Sequence, residues 1–260
     1  MPERAIESAL SRLSPVSLVA LGPDSLFDRI DRKYLVPATL LPELLAACGD
    51  AYRVLEVGGS RLQRYRTVYF DTDDWTLYRA HETGRLPRQK VRVRTYCDTG
   101  NRFLELKVST NTGRTRKTRV AIASTNALPL RALSSPPFAG VHLAADRWAL
   151  RDVLAVDYRR AACLRPDACE RVTIDLAVEF AMAHGVFALD GLAVVEVKQE
   201  RPGPSPIVAA LRACALRPTR LSKFCLGIAA LAADVRRSRY HRTLERCADL
   251  SFVGGRDGRC

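Results

Sequence analysis

Metal-binding cysteine pairs are missing from this chain. Eight cysteines are present, yet none forms a CxxC pair, and the close pair Cys163 and Cys169 has no histidine at zinc-ligand spacing. The four histidines, His81, His142, His184 and His241, are scattered, which suits surface or structural roles. Zinc ribbons and thiol redox motifs are thereby excluded, and unpaired thiols point to a reducing, cytoplasmic setting. Long apolar runs are also missing. The longest, Phe224 to Ala233, is far short of the roughly 20 residues that a membrane-spanning helix needs. Met1-Pro2-Glu3-Arg4 leads into an amphipathic stretch, so neither a signal peptide nor a transmembrane segment is expected, and any membrane role needs a membrane-protein partner. No internal repeat, low-complexity block or second hydrophobic unit occurs. One domain is expected over residues 27–240, after a helix and connector (1–26) and before a loose C-terminal tail (241–260).

Carboxylates are in short supply. Asp and Glu total 28 against 41 Lys and Arg, a net charge of +13. Such an excess favours an anionic partner. A GC-rich coding bias toward Ala and Arg would inflate it without function. Nucleic acid rests on net charge alone, since no binding motif accompanies it, and no nucleic-acid partner is expected.

What is present is charge arranged on strands. Lys90-Val91-Arg92-Val93-Arg94-Thr95-Tyr96 alternates with period two, so Lys90, Arg92 and Arg94 share one face and Val91, Val93 and Thr95 the other. Phe103-Leu104-Glu105-Leu106-Lys107 and Val194-Val195-Glu196-Val197-Lys198 repeat the division. One such strand reads equally as a solvated edge that discourages aggregation. Several suggest a sheet that puts its apolar face under helices and curls its charged face inward. Further strands are expected at residues 29–36, 52–57, 65–72, 155–164 and 171–176. In the last, Arg171, Thr173 and Asp175 share a face, with Glu179 further along at the same parity. Helices are expected at 2–13, 40–48, 207–216 and 224–237, a short helix or turn at 75–81, helical and loop material at 124–154, and a loose tail at 248–260. Tyr69, Phe70, Trp75 and Tyr78 suit a core better than a base-stacking platform, and Ser222 suits a helix cap better than a nucleophile. Arg114-x-Arg116-Lys117-x-Arg119 reads either as a funnel for a polyanion or as a solvated charge run.

Together, Lys33-Tyr34-x-Val36, Tyr69-Phe70-Asp71-Thr72, Lys90-x-Arg92-x-Arg94-x-Tyr96, Glu105-x-Lys107, Tyr158-x-Arg160-x-Ala162, Arg171-x-x-x-Asp175, Glu196-x-Lys198 and Ser222-Lys223-Phe224 resemble the VTC domain. This is the catalytic part of polyphosphate polymerases, within the triphosphate tunnel (CYTH-like) superfamily. The resemblance runs from about Asp31 to Gly227. It implies an α+β fold: a closed antiparallel β-barrel tunnel with a charged lumen, flanked by helices. It implies ATP and inorganic polyphosphate as substrates and a divalent ion, Mn²⁺ or Mg²⁺, as cofactor. By position, Lys33, Arg92, Arg94, Lys107, Arg160, Arg171 and Lys223 would act on phosphates in catalysis. Lys90, Lys117, Arg119, Lys198 and Arg220 would bind substrate, and Glu196 and Glu105 would hold metal. Glu105 reads equally as a salt-bridge partner for lumen cations, and Asp175 and Glu179 are weaker metal or water-positioning candidates. Two departures stand out. The superfamily opens with two carboxylates two residues apart, whereas Arg29 takes the first position here and leaves only Asp31. Arg220 stands at a family lysine position. The thin carboxylate set disfavours a tunnel-fold tripolyphosphatase or nucleotide triphosphatase, and a non-catalytic module binding polyphosphate or an inositol pyrophosphate is the other alternative. On this reading Arg92→Ala or Lys223→Ala abolishes synthesis and leaves the fold intact.

Overall fold

Period-two alternation of β-branched and charged residues builds one large, mainly antiparallel sheet, in which Ser14–Val16 and Arg53–Leu55 form the parallel pair. The computed structural model describes residues 2–19, 30–111, 115–123, 129–138, 140–201 and 203–254. Its strands are β1 (Ser14–Val16), β2 (Ile30–Pro37), β3 (Arg53–Leu55), β4 (Gln63–Asp71), β5 (Arg88–Tyr96), β6 (Arg102–Ser109), β7 (Thr115–Ala121), β8 (Arg151–Arg165), β9 (Glu170–Met182), β10 (Gly185–Ala188) and β11 (Leu192–Gln199). The helices are α1 (Pro2–Ser11), α2 (Leu41–Cys48), α3 (Thr76–Thr83), α4 (Pro206–Ala213), α5 (Lys223–Leu231) and α6 (His241–Gly254). The main path runs β2-β11-β9-β8-β4-β5-β6-β7, every neighbour antiparallel. Arg29, Arg114 and residues 255–260, all named in the sequence reading, lie outside the described residues.

The outer face is covered in two parts. Over β2, β11, β9 and β8, side chains such as Val36, Val195, Ile174 and Ala161 meet Ile6 and Leu10 of α1, Leu41 and Leu44 of α2, and Ile207 and Leu211 of α4. Over β5 and β6, Val91, Val93, Leu104 and Leu106 join a cluster with Leu133 and Phe138 from the connection before β8. That connection consists of 3-10 turns and loops, so the mixed structure expected for 124–154 is found only up to Leu150, where β8 takes over.

The expected closure of the barrel is not made by strand pairing. The path has two ends, and among the described residues no ladder joins β7 to β2. The free edge of β2 is taken instead by the chain before α5: Thr219 donates its N–H to the Lys33 carbonyl at 2.7 Å, and Lys33 Nζ donates to the Leu221 carbonyl at 3.1 Å. Ser222 carries the connection on to β5, accepting from Lys90 Nζ at 2.8 Å. A short segment therefore bridges β2 and β5, and the sheet curls enough for Lys33 to act electrostatically on both Lys90 and Lys107.

Helix α5 covers part of the concave face. Its start is fixed by Ser222, whose Oγ accepts from the Cys225 N–H, the capping role expected from sequence. Phe224 meets Tyr69, and Gly227 lies so close to the sheet that a Cβ there would come within 2.7 Å of Leu154 and Phe180. Alternation along β9 fails just here. The register against β8 shifts between Asp157 and Arg159, and Ala177 has φ of 48°. Asp175 stays on the concave side opposite Arg160, but beyond the bulge Phe180 faces inward and Glu179 is exposed opposite Asp157. The parity expected for Glu179 is thereby overturned. The loose tail expected from 248 is corrected as far as residue 254: α6 spans His241–Gly254, with Cys247 buried and Leu244 and Leu250 against the main cluster.

Candidate anion-binding site on the concave face

Strand register gathers the charged faces. On one side, Glu196 of β11 lies between Lys33 of β2 and Thr173 of β9, and Lys198 lies between Asp31 and Arg171. On the other, Glu105 of β6 lies between Arg92 of β5 and Arg119 of β7, and Lys107 between Lys90 and Lys117. Arg160 of β8 sits opposite Asp175, and Lys223 enters from the first turn of α5. Twelve sequence-selected cations and the carboxylates Glu105 and Glu196 are thus all placed. Eleven of the cations are brought to this face or its rim by strand or helix geometry, and Arg220 comes from the segment before α5. Arg116 falls opposite Val108 on the other face, so the basic run on β7 divides, with Lys117 and Arg119 turned inward.

Three carboxylates organise the interior. Glu105, 1% exposed, accepts from Arg92 Nε at 2.7 Å and Nη2 at 2.6 Å, and its other oxygen lies 3.2 Å from Lys117 Nζ. Burial alone would raise its pKa, but Arg92, Arg94 and Lys117 hold it well below the usual carboxylate range. Asp175, equally buried, takes both arms of Arg160, at 2.5 and 2.8 Å, and the ammonium of Lys223. The same balance of burial against Arg160 and Lys223 keeps it ionised. Glu196 differs. Its lysine contacts are longer, 3.5 Å to Lys33 and 3.3 Å to Lys198, and its side chain is 15% exposed. Of the two readings open for Glu105, the ion-pair one is what the geometry contains.

Other cations make no ion pair among the described residues. The Arg94 guanidinium is buried over the Tyr65 ring at 5.8 Å, and its Nε has no hydrogen-bond partner. Lys90 is pushed down to about 8 by burial, then by Lys33, Arg92 and Arg88. Lys107 is pushed down to about 7 by burial and by Lys33 and Lys90, with Asp31 and Glu196 opposing. Mutual repulsion of this kind marks a site short of negative charge.

Tyr158 was carried in the sequence motifs without a role. Its ring stacks on Tyr65 at 5.3 Å, lies 5.1 Å from the Arg160 guanidinium and 4.8 Å from Lys223 Nζ, and its buried hydroxyl has no hydrogen-bond partner. Burial would raise its pKa, yet Arg94, Arg160 and Lys223 bring it below the ordinary phenol value. Its parity with Arg160 on β8 was the signal available in the sequence. Tyr78 and Trp75 are buried in the core as expected, bonding to the Arg236 carbonyl and the Asp234 carboxylate. Tyr69 and Phe70 are buried in the same cluster, as expected, and the Tyr69 hydroxyl also accepts from Arg92 at 3.3 Å.

The concave face of the curled sheet is lined by arginine, lysine and a few engaged carboxylates, a surface whose charge is complementary to a multiply charged anion. The family model for the VTC domain matches residues 28–232, and the chain belongs to that family. No curated protein matches it. Among solved structures, a candidate adenylate cyclase from Bacillus halodurans is 16% identical, with TM-score 0.49, covering 75% of this chain and 94% of its own. A candidate adenylyl cyclase from Hippeastrum, described as having a dominant triphosphatase activity, is 14% identical, with TM-score 0.47, covering 80% and 100%. A third, from Vibrio parahaemolyticus, is 13% identical, with TM-score 0.46, covering 77% and 98%. Among the described residues no helix is long and apolar enough to cross a membrane.

Proposed function

We propose that the chain is a polyphosphate polymerase, transferring the γ-phosphoryl group of ATP to a growing inorganic polyphosphate chain within a tunnel formed by the curled sheet. The observation that carries this reading is the pairing pattern. Glu105 and Asp175 neutralise and aim Arg92, Arg160, Lys117 and Lys223, while Arg94 makes no ion pair among the described residues and Lys90 and Lys107, both lowered in pKa, can take up a proton as an anion arrives. Phosphoryl transfer needs this arrangement more than it needs a covalent catalyst.

In the proposed reaction the triphosphate lies along Arg92, Arg94 and Arg160, whose planar forks suit phosphate oxygens, and along the Lys223 ammonium, a point charge. A terminal oxygen of the chain attacks the γ-phosphorus in line. The bond to the β-bridging oxygen breaks, and ADP leaves with that oxygen and its charge. The buried Tyr158 hydroxyl, still free to donate, supports an equatorial phosphate oxygen. Lys33, Arg171 and Lys198 neutralise neighbouring phosphates.

The residues fit a divalent ion that arrives with its substrate. Among the described residues no group of three His, Cys, Asp or Glu forms a protein cage. A magnesium-type ion needs only one or two carboxylates beside phosphate oxygens and water. Glu196 has the longest cation contacts and the most exposure of the three carboxylates, and it is the residue we assign to the ion. Such an ion, Mn²⁺ or Mg²⁺, would supply charge neutralisation at the transferring group.

Incubation with ATP and Mn²⁺ tests the reading directly. A ladder of polyphosphate on a gel with ADP release is expected. Free orthophosphate without chains would replace it with a hydrolase, and tight polyphosphate binding without turnover would replace it with a binding module.

A further inference from the structure

A cavity of about 410 Å³ lies on the outer side of the sheet, between β6 and the connection that precedes β8. Its floor is apolar: Leu106, Leu133 and Phe138 are 1%, 6% and 4% exposed. Leu106 points away from the face that carries Glu105 and Lys107, its neighbours on β6, so the thickness of the sheet separates this cavity from the anion site. Its rim is polar, formed by the exposed residues Ser134, His142, Asp146 and Arg147.

The wall is held in place by hydrogen bonds. Gln89, 2% exposed, ties the strap over the cavity to β5: its side-chain amide donates to the His142 carbonyl at 2.5 Å and accepts from the Ala144 N–H at 2.8 Å. Arg147 crosses the rim, donating from Nη1 to the Ser134 hydroxyl at 2.8 Å, with its guanidinium over the Trp148 ring at 5.5 Å. Asp146 caps its own turn, one carboxylate oxygen accepting from the Trp148 N–H at 3.0 Å. These bonds go to neutral groups, and neither Asp146 nor Arg147 makes an ion pair among the described residues. One anionic and one cationic group therefore stand at the same rim above an apolar floor.

We propose that this cavity binds a free α-amino acid with an aliphatic side chain, its carboxylate on Arg147, its ammonium on Asp146 and its side chain on Leu106, Leu133 and Phe138. Charge decides the class of ligand. A guanidinium takes a carboxylate in two parallel bonds, and a carboxylate accepts from an ammonium. A zwitterion satisfies both rim charges at once, whereas a simple anion or cation leaves one of them without a partner. The floor demands an apolar group, for which an inorganic phosphate chain has none. Size agrees: at about 30 Å³ per water the volume equals about fourteen waters, room for a leucine-sized molecule with water at its polar end. The site is independent of the reaction assigned to the concave face, and its test uses no turnover.

The test is calorimetric titration of the full chain with L-leucine, glycine and isocaproate. Trp148 fluorescence gives a second readout, since it adjoins both rim charges and the other tryptophan, Trp75, is buried in the core. Saturable leucine binding in the millimolar range is expected. It should be at least about tenfold tighter than that of glycine, which lacks the apolar side chain, and of isocaproate, which lacks the ammonium. Arg147→Gln and Asp146→Asn each remove one rim charge at an exposed position, and asparagine still caps the turn. Each should weaken leucine about tenfold, with a thermal melt showing that the fold is retained. Equal affinity for leucine and glycine, isocaproate binding as tightly as leucine, no effect of either substitution, or no saturation by millimolar leucine would overturn the proposal.

Discussion

Arg160 and Arg94 face the same interior from neighbouring parts of one sheet, and they sit in opposite electrostatic states. Arg160 grips Asp175 with two hydrogen bonds, and Lys223 takes the same carboxylate. Arg94 is as deeply placed and has a tyrosine face beneath it, but it makes no ion pair among the described residues and feels Glu105 only electrostatically. A buried cation without a partner is costly. Arg94 is tolerated because an arginine keeps its proton where a lysine yields it, and Lys107, in a similar position, does shift. The paired residues hold the interior together, and the unpaired ones hold charge in readiness for an anion.

The sharpest break of this contrast is Asp175→Ala. It leaves Arg160 and Lys223 buried without their carboxylate, and urea unfolding should show a loss of about 3–5 kcal/mol. Arg92→Ala and Lys223→Ala now carry the same hazard, because each leaves a buried carboxylate short of a partner, so the expectation that the fold stays intact is revised for both. Arg94→Gln is the clean counterpart. Stability should move by less than about 1 kcal/mol, since no ion pair is lost, while ATP turnover falls by about 100-fold or more, as for other fixed electrostatic groups. Equal destabilisation by Asp175→Ala and Arg94→Gln would erase the contrast.

Glu196→Gln sharpens it from the carboxylate side. Its lysine contacts are long, so unfolding should change by only about 1 kcal/mol, while the metal concentration needed for half-maximal turnover rises about tenfold or more. Unchanged metal dependence would remove Glu196 from that role. A further effect is on pH. Lys107 has a folded pKa of about 7, below the ordinary lysine value of about 10.4. The unfolded chain therefore binds more protons between those values, and stability should rise with pH across that window. Lys33, Lys90, Asp31 and Glu196 are the charged groups that act on Lys107. An arriving polyanion restores the proton, so calorimetry near pH 8 in buffers of different ionisation enthalpy should show proton uptake on tripolyphosphate binding. Lys107→Met should abolish most of both effects.

Much of this was legible in the chain. Alternation located the strands of the main path other than β7, because an antiparallel strand with one charged and one apolar face writes its period into the sequence, whereas the basic run from 111 to 119 reads as a loop. It also put Lys33, Arg92, Glu105 and Glu196 on the correct side. β10, four residues long, is too short to show a period, and α6 was hidden because residues 241–254 carry scattered charge around a thin apolar stripe. The bridging role of Asp175 depends on Lys223, 48 residues away, and no local pattern joins them. Glu179 was misplaced because alternation was extended through a bulge with no glycine to announce it.

That bulge at Ala177 has a consequence for design. Before it, β9 offers Arg171 and Asp175 to the interior; after it, Phe180. The phase of a single strand thus decides where the charged stretch of the concave face stops and the apolar seat for α5 begins. The length of that stretch is a matter of counting residues, not of choosing side chains. Moving the slip two positions along β9 would lengthen or shorten it by one rung, much as moving a fret changes the length of a string without changing the string.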